Sequence, residues 1–205
     1  MAINYVKNCI FIHIPKTAGT SMEEALGIDI TSYRTPDKKR LYGMLDGIAM
    51  QHYTAKQVRD IIEPEIFNNY FKFAFVRNPY DRVVSEWLWH LSVTGWKYYS
   101  LDSFIKNMDK MPAVYRDHIT PQHEFVYDGG ELIVDFVGRY EKLAWDWEYV
   151  RASVYQISGL ELKKKLPIRM ASGQRKNWES YHNPKTRSMI YERYQKDFEL
   201  FDYKK

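Results

Sequence analysis

The chain has 205 residues, 45% hydrophobic and 27% charged, which suits one globular domain, 1–205, with a sizeable core. A net charge of +4, with no basic stripe among aromatics and no zinc-spaced Cys/His set, points away from nucleic acid. No stretch approaches the roughly 20 apolar residues that span a bilayer, and residues 1–7 lack a signal-peptide pattern. The single cysteine, Cys9, cannot form an intrachain disulfide, so a cytoplasmic location is expected.

Cys9 to Ile14 is apolar on consecutive positions and predicts a central strand buried on both faces. Thr20 with Glu23, and Ser21 with Glu24, read as capping boxes, so a helix is expected from Thr20 or Ser21 to about Gly27. Thr54 with Gln57 predicts a further helix, whose apolar face would hold Val58, Ile61 and Ile62 before Pro64 disturbs it. Tyr70 to Val76 predicts a second buried strand. Asn78 and Pro79 read as N-cap and first position of a helix to about Ser92. A short helix capped by Ser100 is expected over Leu101 to Met108, and a third strand over Leu132 to Val137. Leu143 to Ile157 and Thr186 to Phe198 read as helices, with Ile190, Tyr194, Phe198 and Phe201 on one face of the last. The lysine-rich runs 38–40 and 163–165 read as solvated. Alternating strands and helices predict an α/β, P-loop-like three-layer fold: a central parallel sheet flanked by helices. Ligands in such sheets bind at the carboxyl ends of the strands.

Two strand ends stand out. Pro15 to Ser21 follows the first strand with Lys16, the small residues Ala18 and Gly19, and the hydroxyls of Thr17, Thr20 and Ser21. A charge, close backbone approach and hydroxyl donors at a helix start make an anion cradle. The Walker A pattern is absent. At the second strand end, Arg77 precedes a helix that carries Asp81, Arg82 and Ser85. An arginine fork is suited to phosphate. One ligand anionic at both ends would explain the pair of sites.

"FIHIPKTAGTS" resembles the 5′-phosphosulfate loop of sulfotransferases, and "FVRNPYDRVVSEW" resembles their 3′-phosphate site. "QHYTAKQV", "DFVGRYEKL" and "YERYQKDFELFDY" extend the resemblance to the carbohydrate-type sulfotransferases over most of the chain. The resemblance implies PAPS (3′-phosphoadenosine 5′-phosphosulfate) as donor and PAP as product. It implies that Lys16, Thr17, Ala18, Gly19, Thr20 and Ser21 hold the 5′-phosphosulfate and that Arg77 and Ser85 hold the 3′-phosphate. The acceptor would be a hydroxyl of a glycan or small molecule. No metal is required by this chemistry.

An attacking alcohol must lose its proton, and a neutral histidine is suited to take it. His52, two residues before the N-cap Thr54, is the leading candidate among six histidines, and the resemblance also places a catalytic histidine in this segment. His13 reads as a buried structural residue. His118 and His123 flank "ITPQ" and are candidates for the acceptor site; His90, His182 and Glu124 have weaker claims. Lys16 would offset charge on the leaving oxygen. "SGQRKNW" offers Arg175 and Lys176 to fold over the donor and Trp178 to stack on adenine or sugar. Trp87, Trp89 and Trp96 serve an acceptor site or the core equally well. A P-loop-like kinase or nucleotide hydrolase, and a non-catalytic glycan-binding protein, stay open as alternatives.

Overall fold

The fold comes from a computed structural model, which describes residues 2–28, 34–93, 100–167 and 177–205. In chain order the strands are β1 (Ala2–Asn4), β2 (Cys9–Ile12), β3 (Met44–Leu45), β4 (Ile48–Ala49), β5 (Phe71–Val76), β6 (Tyr127–Asp128), β7 (Glu131–Leu132) and β8 (Phe136–Arg139). The α-helices are α1 (Gly19–Ala25), α2 (Ala55–Ile61), α3 (Pro64–Asn69), α4 (Pro79–Val93), α5 (Leu101–Lys106), α6 (Arg116–Ile119), α7 (His123–Val126), α8 (Leu143–Ser158) and α9 (Pro184–Leu200). The central sheet has the order β1-β2-β5-β8, parallel except for the antiparallel edge strand β1. This is the expected α/β architecture, with β1 as an addition that no sequence pattern announced.

Period-two alternation sorts the sheet into two cores. Cys9, Phe11, Phe71, Phe73 and Phe75 face Met22 of α1 and Trp147, Val150 and Val154 of α8. Ile10, Ile12, Ala74 and Val76 face Ala55 and Val58 of α2, Phe67 of α3, and Phe125 of α7. Strands buried on both faces explain the unbroken apolar runs. A third core joins α4, α5 and α9 through Val84, Phe104, Ile190, Tyr194 and Phe198.

Local signals placed several boundaries. Thr54 and Gln57 form a reciprocal capping box at α2, and Ser100 caps α5 by accepting from the Ser103 N–H at 3.2 Å. The Asn78 side chain accepts from the Tyr80 N–H at 2.9 Å, at the start of α4. A Schellman motif closes α1: Gly27 has φ +82°, its N–H donates to the Glu24 carbonyl, and the Ile28 N–H donates to that of Glu23.

Four expectations change. Helix α1 begins at Gly19 with Ala18 as N-cap and no side-chain cap, so neither the Thr20 nor the Ser21 capping box forms; Glu23 is instead paired with His13. The third central strand is Phe136–Arg139, because Leu132 pairs with Tyr127 in a small hairpin. Ile61 is exposed while Val58 carries the buried face of α2. Helix α9 starts at Pro184, capped by Asn183 and Thr186, rather than at Thr186. Among the described residues no helix is long and apolar enough to cross a membrane.

Gly138 of β8 sits in register with Phe75, where an added Cβ would lie 2.5 Å from the ring. Gly138→Ala is expected to destabilise the protein by about 1–3 kcal/mol through overpacking, read by chemical denaturation; unchanged stability would show that the ring has room to move.

Candidate active site

Strands β2 and β5 are parallel neighbours, so both loops leave the same edge of the sheet, at its carboxyl end. In the first loop Lys16 and Ala18 adopt φ +71° and +70°, a left-handed conformation uncommon outside glycine. Such turns direct backbone N–H groups to one side and form anion-binding concavities. Gly19 is required by packing: an added Cβ would lie 1.9 Å from the His13 ring. The Thr17 hydroxyl donates to the Ile14 carbonyl at 2.8 Å and the residue is fully buried, so its backbone is what it can offer a ligand. Thr20 is half-buried and Ser21 is buried at the start of α1. Lys16 Nζ lies 5.2 Å from the centre of the Trp89 ring.

The second loop is tied to the first. Arg77, 5% exposed, donates through Nε to Asp81 at 2.6 Å and through Nη1 to the Lys16 carbonyl at 3.0 Å. Its guanidinium stacks 3.9 Å from the Tyr140 ring centre. Gln122 brackets the Arg77 backbone, accepting its N–H and donating to its carbonyl. Ser85 lies half-buried on α4.

Arg82 is the residue that sequence reasoning undervalued. It is 2% exposed and donates to three carbonyls: Pro15 at 3.1 Å, Thr120 at 2.8 Å and His118 at 3.0 Å. One guanidinium thereby fastens the first loop to α6. The available signal was a pair of charges, Arg82 and Glu86, inside the apolar run of α4.

Beside these loops the fold assembles histidines and carboxylates from distant segments. His13 Nδ1 bonds Glu23 at 2.8 Å. His52 Nδ1 bonds Asp117 Oδ2. His118 Nδ1 bonds Glu86 at 2.9 Å, and His90 shares the same carboxylate at 2.9 Å. The His52 ring meets His13 edge-on at 4.8 Å and His118 at 5.1 Å. Trp89 stacks on His118 at 5.0 Å. Burial pushes the His52 imidazole down to about 3, and the neighbouring His13 and His118 act in the same direction against the Asp117 hydrogen bond. Burial alone would raise Glu86 and Glu23, but their histidine partners outweigh it and hold both carboxyls below the ordinary range.

Donor atoms of His52, Asp117 and His118 lie within 4.8 Å of one another, a spacing a metal ion could span. Each histidine Nδ1 is already engaged by a carboxylate, Asp117 for His52 and Glu86 for His118.

The other sequence candidates fall elsewhere. His123 is turned to the buried Asp197 at 2.7 Å, and His182 contacts the Tyr80 carbonyl at 3.2 Å. Glu124 is exposed. Trp87 is buried in the third core, and Trp178 stacks on Tyr80 at 5.8 Å. Arg175, Lys176 and Trp96 lie outside the described residues.

The two loops joined by Arg77, with His52 packed beside His13 at the end of the first strand, make one candidate site at the carboxyl end of the sheet. The family model described as the sulfotransferase family matches residues 1–204, and the chain belongs to that family. It is a sulfotransferase, and the phosphoryl-transfer alternative gives way. Over 92 residues it is 30% identical to an uncharacterized protein of Archaeoglobus fulgidus, a match covering 45% of this chain and 73% of the relative. No solved structure matches the chain.

Gly19→Ala is expected to cost about 1–3 kcal/mol of stability by driving Cβ into the His13 ring. A cycle with His13→Ala, read by denaturant unfolding, should show the two changes strongly coupled; additive effects would mean the ring is not the obstacle.

Proposed function

We propose that the chain transfers the sulfuryl group of PAPS to an acceptor hydroxyl by in-line displacement and releases PAP. The observation that carries this reading is the joining of the two loops by Arg77, whose guanidinium donates to the Lys16 carbonyl. A donor with a phosphosulfate at one end and a 3′-phosphate at the other needs two cradles at a fixed separation. In this reading Lys16 and the backbone from Thr17 to Ser21 hold the phosphosulfate, and Arg77 and Ser85 hold the 3′-phosphate. Lys16 also offsets the charge that develops on the bridging oxygen as the S–O bond breaks.

His52 takes the acceptor proton. Its depressed pKa keeps the ring neutral at physiological pH, the state a general base requires. The resemblance to carbohydrate-type enzymes favours a sugar hydroxyl as acceptor. The buried, unpaired Cys9 suits a reducing cytoplasm.

Adenosine 3′,5′-bisphosphate is expected to raise the melting temperature well above the effect of adenosine 5′-monophosphate or ATP–magnesium. An equal response to all three would remove the two-cradle assignment. His52→Ala should lower turnover about 10²–10⁴-fold while this stabilisation survives; wild-type turnover in that variant would exclude His52 as base. The pH profile supplies an independent check. With the ring neutral down to about 3, kcat/KM should show no loss centred near the ordinary histidine value as pH falls from 7 to 5. A limb near 6.5 that vanishes in the variant would contradict the depressed pKa.

A further inference from the structure

His52 and Asp117 are 65 residues apart in the chain and meet only through tertiary structure. Both oxygens of the Asp117 carboxylate are engaged. Oδ2 faces His52 Nδ1, and Oδ1 accepts the His118 backbone N–H at 3.0 Å. An ionised carboxylate only accepts hydrogen bonds. The proton between the pair therefore sits on His52 Nδ1, which leaves Nε2 with the lone pair. The ring cannot readily turn to exchange these roles, because His13 and His118 pack edge-on against it at 4.8 Å and 5.1 Å.

The carboxylate is also referenced to the donor loop. Asp117 lies on the four-residue helix α6, and Arg82 bonds the His118 and Thr120 carbonyls that flank this helix's end together with the Pro15 carbonyl. A single guanidinium thus sets the distance between the loop and the segment that aims His52.

We infer that Asp117 is the positioning residue for His52: it holds the ring in the Nδ1–H tautomer and keeps Nε2 as the proton acceptor. This rests on the reading of His52 as base. In the step it serves, the acceptor O–H bond breaks and its proton goes to His52 Nε2. The acceptor oxygen bonds to sulfur, and the bond from sulfur to the bridging oxygen breaks with its electron pair leaving on PAP. Asp117 stays ionised and stabilises the transient imidazolium. The imidazolium then releases its Nε2 proton to solvent. The Asp117 carboxylate bonds His52 and the His118 N–H, so its loss should act on the rate and leave donor binding alone.

The test is Asp117→Asn, whose side-chain amide can donate to Nδ1 and so favour the opposite tautomer. Turnover should fall about 10²–10⁴-fold, the range for removing effective base catalysis, with the KM for PAPS and the stabilisation by PAP unchanged. Long-range ¹⁵N–¹H NMR should find His52 protonated on Nδ1 in the wild type and on Nε2 in the variant. Wild-type turnover in Asp117→Asn beside a severe loss in His52→Ala would overturn the role of Asp117 and leave the base standing. Full activity in His52→Ala would instead overturn the base. If Asp117→Asn fails to fold, the wild-type spectrum decides alone: an Nε2–H tautomer there sinks the inference.

Discussion

The buried Arg82 guanidinium is the contact on which the geometry of the site depends. A charge removed from water must have its donors satisfied, and a planar fork that stays protonated can bridge several acceptors at once. Here it bridges the Pro15, His118 and Thr120 carbonyls. These come from the loop after β2 and from the two sides of the turn that ends α6. Neither segment belongs to a long regular element that would otherwise fix its position. Arg77 repeats the device just before α4 begins, with Asp81 on one side and the Lys16 carbonyl on the other. The two arginines that hold the loops in register therefore come from the β5–α4 junction and from α4 itself.

The histidines obey the same constraint. His13, His52, His90 and His118 crowd together, and each has a carboxylate within reach. The carboxylates orient the rings through Nδ1 or Nε2. His13 has a second task. It fills the space that Gly19 leaves open, so the loop's tight approach to the strand and the ring's position are one packing decision. Side chains fixed by such partners are held in place by the fold itself, and preorganised groups of this kind lower the reorganisation that a transfer step requires.

Much of the scaffold was legible in the sequence because its signals are local. Unbroken apolar runs marked β2 and β5. The Thr54–Gln57 box, Ser100, Asn78–Pro79 and Gly27 marked helix ends, and all of them act through neighbours two or three residues away. The same reasoning failed at Thr20 and Ser21. The loop enters α1 through a left-handed Ala18, and Glu23, the partner that a capping box needs, is drawn away to His13. Leu132 was misread for a similar reason: its apolar character serves a hairpin with Tyr127, and the parallel strand begins four residues later.

The sequence by itself determined the alternation of strands and helices, the two cationic loops at strand ends and the candidacy of His52, since each is written in residues adjacent along the chain. Tertiary structure decided which groups meet. The joining of Arg77 to Lys16, of Arg82 to Pro15, and of His52 to Asp117 spans 61, 67 and 65 residues. No short-range pattern encodes such pairs. They form because the parallel sheet brings two loops to one edge, and because buried charges and imidazoles there must find partners once water is excluded.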